Sequence, residues 1–384
     1  MNRYWLLVFL LLYLLNYPYG NAQRLYPIAA DQEEQLLSAW QVYKQMAASD
    51  SWSTFPEDVC LKPGNTDQHI LKLRNNLILT GDLQYNPDSA VFFFDATLVQ
   101  AVKKFQVRHA LNPDGIVGHQ TIAALNITPD QRARQIELNL TRWQKTFEAD
   151  NSMVLVNIPD FTLHLLTAQR KTIWQTKVIV GQTRRPFQTS QFKSKISYLV
   201  LHPTWNVPKS IIQREIIPVL KTDPNYLERN RMVLYRQTKT GKIVMRPSSM
   251  NWNSLDINDI TIIQSAGSQN ALGQLKFIFA NPYNIYLHDT PIKSLFTHPV
   301  RTYSHGCVRV QYPEILASYL LSTDWEKRVP ITKLLNKNTN NKTIYLPKPV
   351  PIILGYFTCW IDTEGQLQFR QDIYGQDTII NLPL

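Results

Sequence analysis

The chain changes period at Met153, and that switch limits what it can fold into. Upstream, apolar residues recur at helical spacing: Leu36, Leu37, Trp40, Tyr43 and Met46 form one face between Asp31 and Met46. Ile70, Leu73 and Leu77 form a second such face, and Leu98, Val102 and Phe105 a third behind the capping residue Asp95. After the turn Asn112-Pro113-Asp114-Gly115 and Gly118, Thr121 is expected to open a short helix through Leu125. Ile136, Leu140, Trp143 and Phe147 mark another helix over 130–149. Downstream, Val154–Ile158, Phe161–Leu166, Lys177–Val180 and Ile196–Leu201 are short β-branched or aromatic runs cut by Pro, Gly and polar turns. A helical first part and a β-rich second part make a multidomain α+β chain, and 384 residues suit two or three domains.

The first residues read as an export signal. Arg3 precedes the apolar run Trp5–Leu15, which is too short to span a bilayer comfortably, and Gly20-Asn21-Ala22 supplies small residues for cleavage near Ala22. An uncleaved anchor is the alternative. The net charge of +11 is spread along the chain, with no basic helix or aromatic-basic interleave, so nucleic acid is excluded as a partner. A cationic exported protein suits anionic envelope polymers.

The chemistry concentrates in His288–Arg309. His288 ends an apolar run, fifteen residues follow, and then comes Ser304-His305-Gly306-Cys307. A cysteine is a strong nucleophile only as the thiolate, which a nearby histidine and backbone N–H groups stabilise. With Asn284–Leu287 read as a strand and Val308–Leu321 as the approach to a helix, Cys307 is expected on a strand-to-helix loop. There the N–H groups of Gly306 and Cys307 would face an oxyanion. The competing chemistry is a zinc site of His288, His298, His305 and Cys307, without paired-ligand spacing to back it. The other cysteines are Cys60 and Cys359, which would be able to pair in an oxidising compartment.

These residues, His288 and then Ser304-His305-Gly306-Cys307-Val308-Arg309, resemble the signature of the L,D-transpeptidases with a YkuD-type catalytic domain. The resemblance implies that Cys307 is the nucleophile and His288 its general base, with the backbone carbonyl of Asp289 orienting the imidazole. It places His305, Gly306 and Tyr286 around the oxyanion and pocket, and Arg309, Ser304 and Tyr303 at the substrate. The runs V-N-I-P-D-F-T-L from Val156 and V-G-Q-T-R-R-P from Val180 resemble the opening of the family's β-sandwich, except that Phe187-Gln188-Thr189 stands where Thr-Pro is frequent. The order F-D-A-T-L-V-Q-A-V-K-K-F-Q, then D-G-I-V-G-H-Q-T-I-A-A-L, resembles the type 1 peptidoglycan-binding domain.

The resemblance extends to a large Gram-negative periplasmic subfamily. It implies a signal peptide at 1–22, a helical scaffold from 23–66 and 131–150, and an all-α peptidoglycan-binding-like module at 67–130. The β-sandwich catalytic domain would cover 151–345, with an inserted helical cap at about 206–265, and C-terminal strands would fill 346–384. The loop Thr290–Tyr303, with Lys293, His298 and Arg301, reads as a lid. The implied activity joins two diaminopimelates (a 3-3 cross-link) through a cysteine thioester, releasing D-Ala from a tetrapeptide stem. No metal or organic cofactor is required. Carbapenem inhibition and association with other cell-wall synthesis enzymes are implied as well. An L,D-carboxypeptidase or endopeptidase, an enzyme anchoring an envelope protein, and a non-catalytic wall-binding scaffold are the alternatives.

Overall fold

The computed structural model describes residues 25–377 apart from 88–89, 147–150, 253–254, 326 and 337–338. The expected signal peptide and Phe147 lie outside the described residues. The chain divides into two compact units, one containing 44–131 and the other 27–43 and 132–384. The expected scaffold therefore does not stand apart: 44–66 belongs with the helical module, whereas 27–43 and 132 onward belong with the sheet.

In the first unit, helices α1 (Gln32–Ala48, in its last residues), α2 (His69–Leu79), α3 (Ala96–Arg108) and α4 (His119–Leu125) follow the apolar spacing. Ile70, Leu73, Leu77, Leu98, Val102 and Phe105 fill one core with Ile122 and Leu125. The Asp95 carboxylate caps α3 by accepting from Leu98 N at 2.8 Å. The N-cap of α4 is Gly118 and not Thr121, whose hydroxyl sits one turn in and accepts from Gln106 Nε2 at 3.1 Å. Gly115, at φ +78, lets that turn close, and its N–H donates to Gln106 Oε1 at 2.9 Å. Buried Arg108 donates through Nε to Asp82 Oδ1 at 2.8 Å and through Nη2 to Oδ2.

The second unit is organised by one sheet. Its strands are β1 (Met153–Asn157), β2 (Thr162–Leu166), β3 (Thr172–Gly181), β4 (Phe192–Leu201), β9 (Leu275–Phe279), β10 (Leu287–His288), β11 (Thr302–Ser304), β12 (Val308–Val310) and β13 (Lys342–Gly355). The order is β11-β3-β12-β10-β9-β4-β13-β1-β2, and β2 pairs again with β3. Strand β3 takes β2 along its first part and β12 along its last residues, so the sheet closes on itself. The two layers of the expected sandwich are the two sides of this closed sheet. Val154, Val156, Leu199, Phe277, Leu287, Val308, Leu316 and Ile352 are among the residues packed inside. The boundary expected at 345/346 falls within β13, which pairs in parallel with β1 and antiparallel with β4 and is integral to the sheet. Its run of Pro, Lys and Val hid this from a reading of period alone.

The insertion between β4 and β9 is not purely helical. A helical run of Lys209–Ile211, a π-helical Ile212–Ile216 and Ile217–Leu220 is joined by β5 (Trp205–Asn206), β6 (Met232–Thr238), β7 (Gly241–Met245) and β8 (Ile260–Gln264). These strands form a four-stranded sheet in the order β5-β8-β6-β7. Val207, Ile212, Leu220, Leu234, Ile260 and Ile262 give the insertion its own apolar core, which is why it stands as a subdomain and not as a loop.

Helix α5 (Pro129–Thr146) starts on a reciprocal cap in which Thr128 N donates to Gln131 Oε1 at 2.9 Å and Gln131 N to Thr128 Oγ1 at 3.3 Å. In the same unit as the sheet, Trp143 stacks on Phe357 with ring centroids 4.2 Å apart, and Asn139 Nδ2 donates to Thr358 Oγ1 at 2.9 Å. Among the described residues no helix is long and apolar enough to cross a membrane.

Candidate active site

Strand alternation builds the site. In the register of β9, β10 and β12, Leu287 lies opposite Phe277 and Val308, while His288 lies opposite Lys276 and Arg309. Partners across strands share a face, so Leu287, Phe277 and Val308 point together into the core, all 0% exposed. Lys276, His288 and Arg309 form a row on the other face. Tyr286 and Cys307 each lie two residues before a member of that row, on the same side. Val308 N donates to Tyr286 O at 3.1 Å, which holds the two strands in register beside the cysteine.

The hairpin leading to His288 is folded by Asn281. Its Oδ1 accepts from Tyr283 N at 3.1 Å and Ile285 N at 3.0 Å, and its Nδ2 donates to Phe279 O at 3.0 Å and Ile285 O at 2.7 Å. Asn284 has φ +55, so the strand expected from Asn284 shortens to Leu287–His288. The Asn284 carbonyl then lies 3.7 Å from Cys307 Sγ and accepts from the thiol.

His288 is buried, and its Nδ1 donates to the Asp289 carbonyl at 2.5 Å. That leaves Nε2 without a proton, as a general base requires. Burial, then the positive charge of Arg309, and more weakly Lys276, drive its pKa down to about 3 against the Asp289 hydrogen bond, so the ring is neutral near pH 7. The Asp289 carboxylate serves the loop: it accepts from Gln274 N at 2.9 Å, Thr290 N at 2.7 Å and Lys293 Nζ at 2.6 Å. Gly273 makes room for it, since a Cβ there would come 2.2 Å from Asp289 Oδ2.

Burial pushes the Cys307 thiol up. The Tyr286 backbone, Lys276, the Tyr286 side chain and Arg309 all pull it the other way. Tyr286 is pushed up by burial and by Cys307, with its side chain bonded to both Cys307 and Trp205 of the insertion. Arg309 is pushed down by desolvation, and its buried Nε has no hydrogen-bond partner among the described residues.

The loop geometry departs from expectation in three ways. Cys307 lies between β11 and β12, and the next helix begins only at Pro313, so the helix start expected directly after the cysteine is not there. The Gly306 N–H is already bonded to Ser304 Oγ at 3.1 Å, which leaves the Cys307 N–H for an oxyanion. Ser304, expected at the substrate, is buried, and its hydroxyl donates to Cys307 O at 2.5 Å, so it closes the turn. Gly306 has φ +111, and its carbonyl accepts from Thr189 Oγ1 at 2.9 Å. Thr189 Oγ1 accepts in turn from Gly181 N at 2.8 Å, and Tyr374 Oη accepts from Thr189 N at 3.2 Å. Thr189 and Tyr374 thus brace the loop.

His305 pairs through Nε2 with Glu215 of the π-helical segment and sets its ring edge-on to Phe187, with centroids 4.7 Å apart. Tyr303 is exposed and shares a hydrogen bond of 2.7 Å with His298 Nδ1. The lid residues are committed elsewhere: Lys293 to Asp289, and Arg301, fully buried, to the carbonyls of Val178, His298 and Phe161. They are not free to meet substrate carboxylates. Among the described residues no group of three or more His, Cys, Asp or Glu is placed to hold a metal ion. Lys276, Thr189, Tyr374, Trp205 and Glu215 were missed in the sequence. Only Lys276 left a signal, two residues into a strand that runs antiparallel to the one carrying His288.

Residues 151–339 match the family model described as the L,D-transpeptidase catalytic domain, YkuD, and residues 73–125 match one described as "Putative peptidoglycan binding domain". A protein of Haemophilus influenzae named "Putative L,D-transpeptidase" is 37% identical over 231 residues, which is 60% of this chain and 45% of that relative. The chain thus covers less than half the length of that relative. An L,D-transpeptidase structure from Xylanimonas cellulosilytica is similar at 14% identity, covering 79% of this chain and 98% of that one with a TM-score of 0.25. One from Stackebrandtia nassauensis is similar at 16% identity, 78% and 98% coverage and a TM-score of 0.26. Overlaps of that size carry no weight for this chain.

Proposed function

We propose, from the match of 151–339 to the YkuD L,D-transpeptidase catalytic domain and of 73–125 to a peptidoglycan-binding domain, that the chain cross-links peptidoglycan through a thioester on Cys307. The supporting observation is the single sheet face on which neutral His288, Cys307, Tyr286 and Arg309 stand together. His288 Nε2 takes the thiol proton, and the sulfur attacks the carbonyl of the diaminopimelate at position three of a tetrapeptide stem. The Cys307 N–H faces the developing oxyanion. The carbon–nitrogen bond to D-Ala breaks, and its amine leaves with the proton from His288. The amine of a second stem then attacks the thioester, losing its proton to His288 and releasing the thiol, so a 3-3 link forms. Arg309, with no carboxylate partner among the described residues, is the group for a stem carboxylate. Tyr303 borders the same loop.

The signal-like first residues and the family's substrate favour action in the periplasm. Incubating the chain with disaccharide-tetrapeptide and following intact mass and muropeptides tests the reading. A Cys307 adduct and a diaminopimelate-linked dimer are the expected result. Tripeptide without dimer would indicate water as acceptor, a carboxypeptidase. Wild-type activity in Cys307→Ala would overturn the nucleophile.

A further inference from the structure

Lys276 is not accounted for by the chemistry above. It is opposite His288 in the β9–β10 register, so its side chain shares the face that carries Cys307 and Arg309. Its ammonium lies 3.8 Å from the centroid of the Tyr286 ring, within cation–π range. Tyr286 is the residue whose side chain contacts Cys307, and Cys307 stands beside it across the strands. Among the described residues no carboxylate pairs with Lys276. A half-buried ammonium without a counter-charge is costly unless an anion comes to it. Other cations in this unit do have carboxylates: Lys293 has Asp289, Arg370 has Asp160 and Arg142 has Asp377.

We propose that Lys276, docked on the Tyr286 ring, is a positioning residue that supplies the counter-charge for the Cys307 thiolate as the sulfur gives up its proton. The proton leaves Sγ for His288 Nε2, the negative charge stays on sulfur, and Lys276 keeps all its protons. Tyr286 fixes the ammonium and offers its hydroxyl to the same sulfur. Burial lowers Lys276 itself, and the charge on Cys307 is the influence that raises it again, as reciprocity between the two groups requires.

The inference rests on Cys307 being the reactive thiol and on nothing about its acyl donor. The test is the rate of alkylation of Cys307 by iodoacetamide across pH, located by peptide mapping in a Cys60→Ser background, because Cys60 is exposed. Lys276→Met is expected to slow alkylation near neutral pH by roughly tenfold and to move the inflection of the profile to higher pH, and Lys276→Arg is expected to restore most of the rate. If Lys276→Met folds poorly, Lys276→Gln takes its place, with ultraviolet absorbance of the thiolate as the second readout. A profile unchanged in a folded Lys276 variant, even one with a lowered Tm, would overturn the proposal and leave Lys276 a structural residue. A Cys307 that alkylates in a Lys276-dependent way but forms no adduct with tetrapeptide would break the transpeptidase reading and keep this one.

Discussion

Arg108 in the helical module and Arg309 in the sheet unit are both withdrawn from bulk water, and the protein treats them oppositely. Arg108 is met by Asp82, with Nε and Nη2 on the two carboxylate oxygens. Arg309 keeps a buried Nε without a partner among the described residues, beside a thiol and a neutral histidine. A buried cation that has its carboxylate is architecture: removing either member strands the other charge and costs stability. A cation left unmatched gains nothing for the resting fold and is held for a charge that comes and goes. Positive charge alone therefore does not mark a site; its missing partner does.

The largest test of that contrast is His288→Asn. It should lower kcat of the proposed acyl transfer by roughly 10²–10⁴-fold with little change in Tm, since the proposed general base is lost but the loop is held by the Asp289 carboxylate. A loss of folding comparable to the loss of rate would break the distinction. The paired substitutions come next. Arg108→Met should destabilise the module by about 3–5 kcal/mol, read by denaturant unfolding, and leave Cys307 alkylation unchanged. Arg309→Met should reduce kcat/KM for a stem peptide by roughly 100-fold and spare stability, because a charged hydrogen bond is worth about 1.5–3 kcal/mol.

A third test uses His164, a β2 residue at 0% exposure with both ring nitrogens unpartnered among the described residues. Burial holds its pKa down to about 4, partly opposed by Asp160. The unfolded chain takes up this proton near pH 6.5 and the folded chain only near 4, so the stability is complete above about 6.5 and is lost as pH falls toward 4. That window corresponds to roughly 3 kcal/mol. His164→Leu should flatten the acid limb of Tm against pH, and a limb of the same slope would count against it. The smallest effect is at the start of α5, where Thr128→Ala should cost about 1 kcal/mol through the lost N-cap to Gln131 N, measured by thermal unfolding.

Much of the architecture could be read from period. The faces of α2 and α3 came from spacing, and the β runs from Met153 onward became strands of the closed sheet. Cys307 and His288 could be nominated from the sequence because of their residue types and spacing, and the sheet sets both on one face. The misreadings have local causes. Gly306 looked like an oxyanion donor, but the sequence does not show that Ser304 turns back to take its N–H. Arg301 and Lys293 looked like free lid cations because charge in a loop implies solvent, yet each found carbonyl or carboxylate partners contributed by other segments. The insertion read as helical from Ser210–Leu220, while its strands are short and half exposed, with weak alternation.

By itself the sequence determined which residue types are present to react, and where the chain turns from helix to strand, because both are properties of neighbours along the chain. The tertiary structure decided which of them meet. Setting β9, β10 and β12 side by side placed Lys276, His288 and Arg309 in one row, and drew Thr189, Tyr374 and Glu215 to the loop from far along the chain. Register is a relation between strands, fixed by burial of Phe277, Leu287 and Val308 on the opposite face.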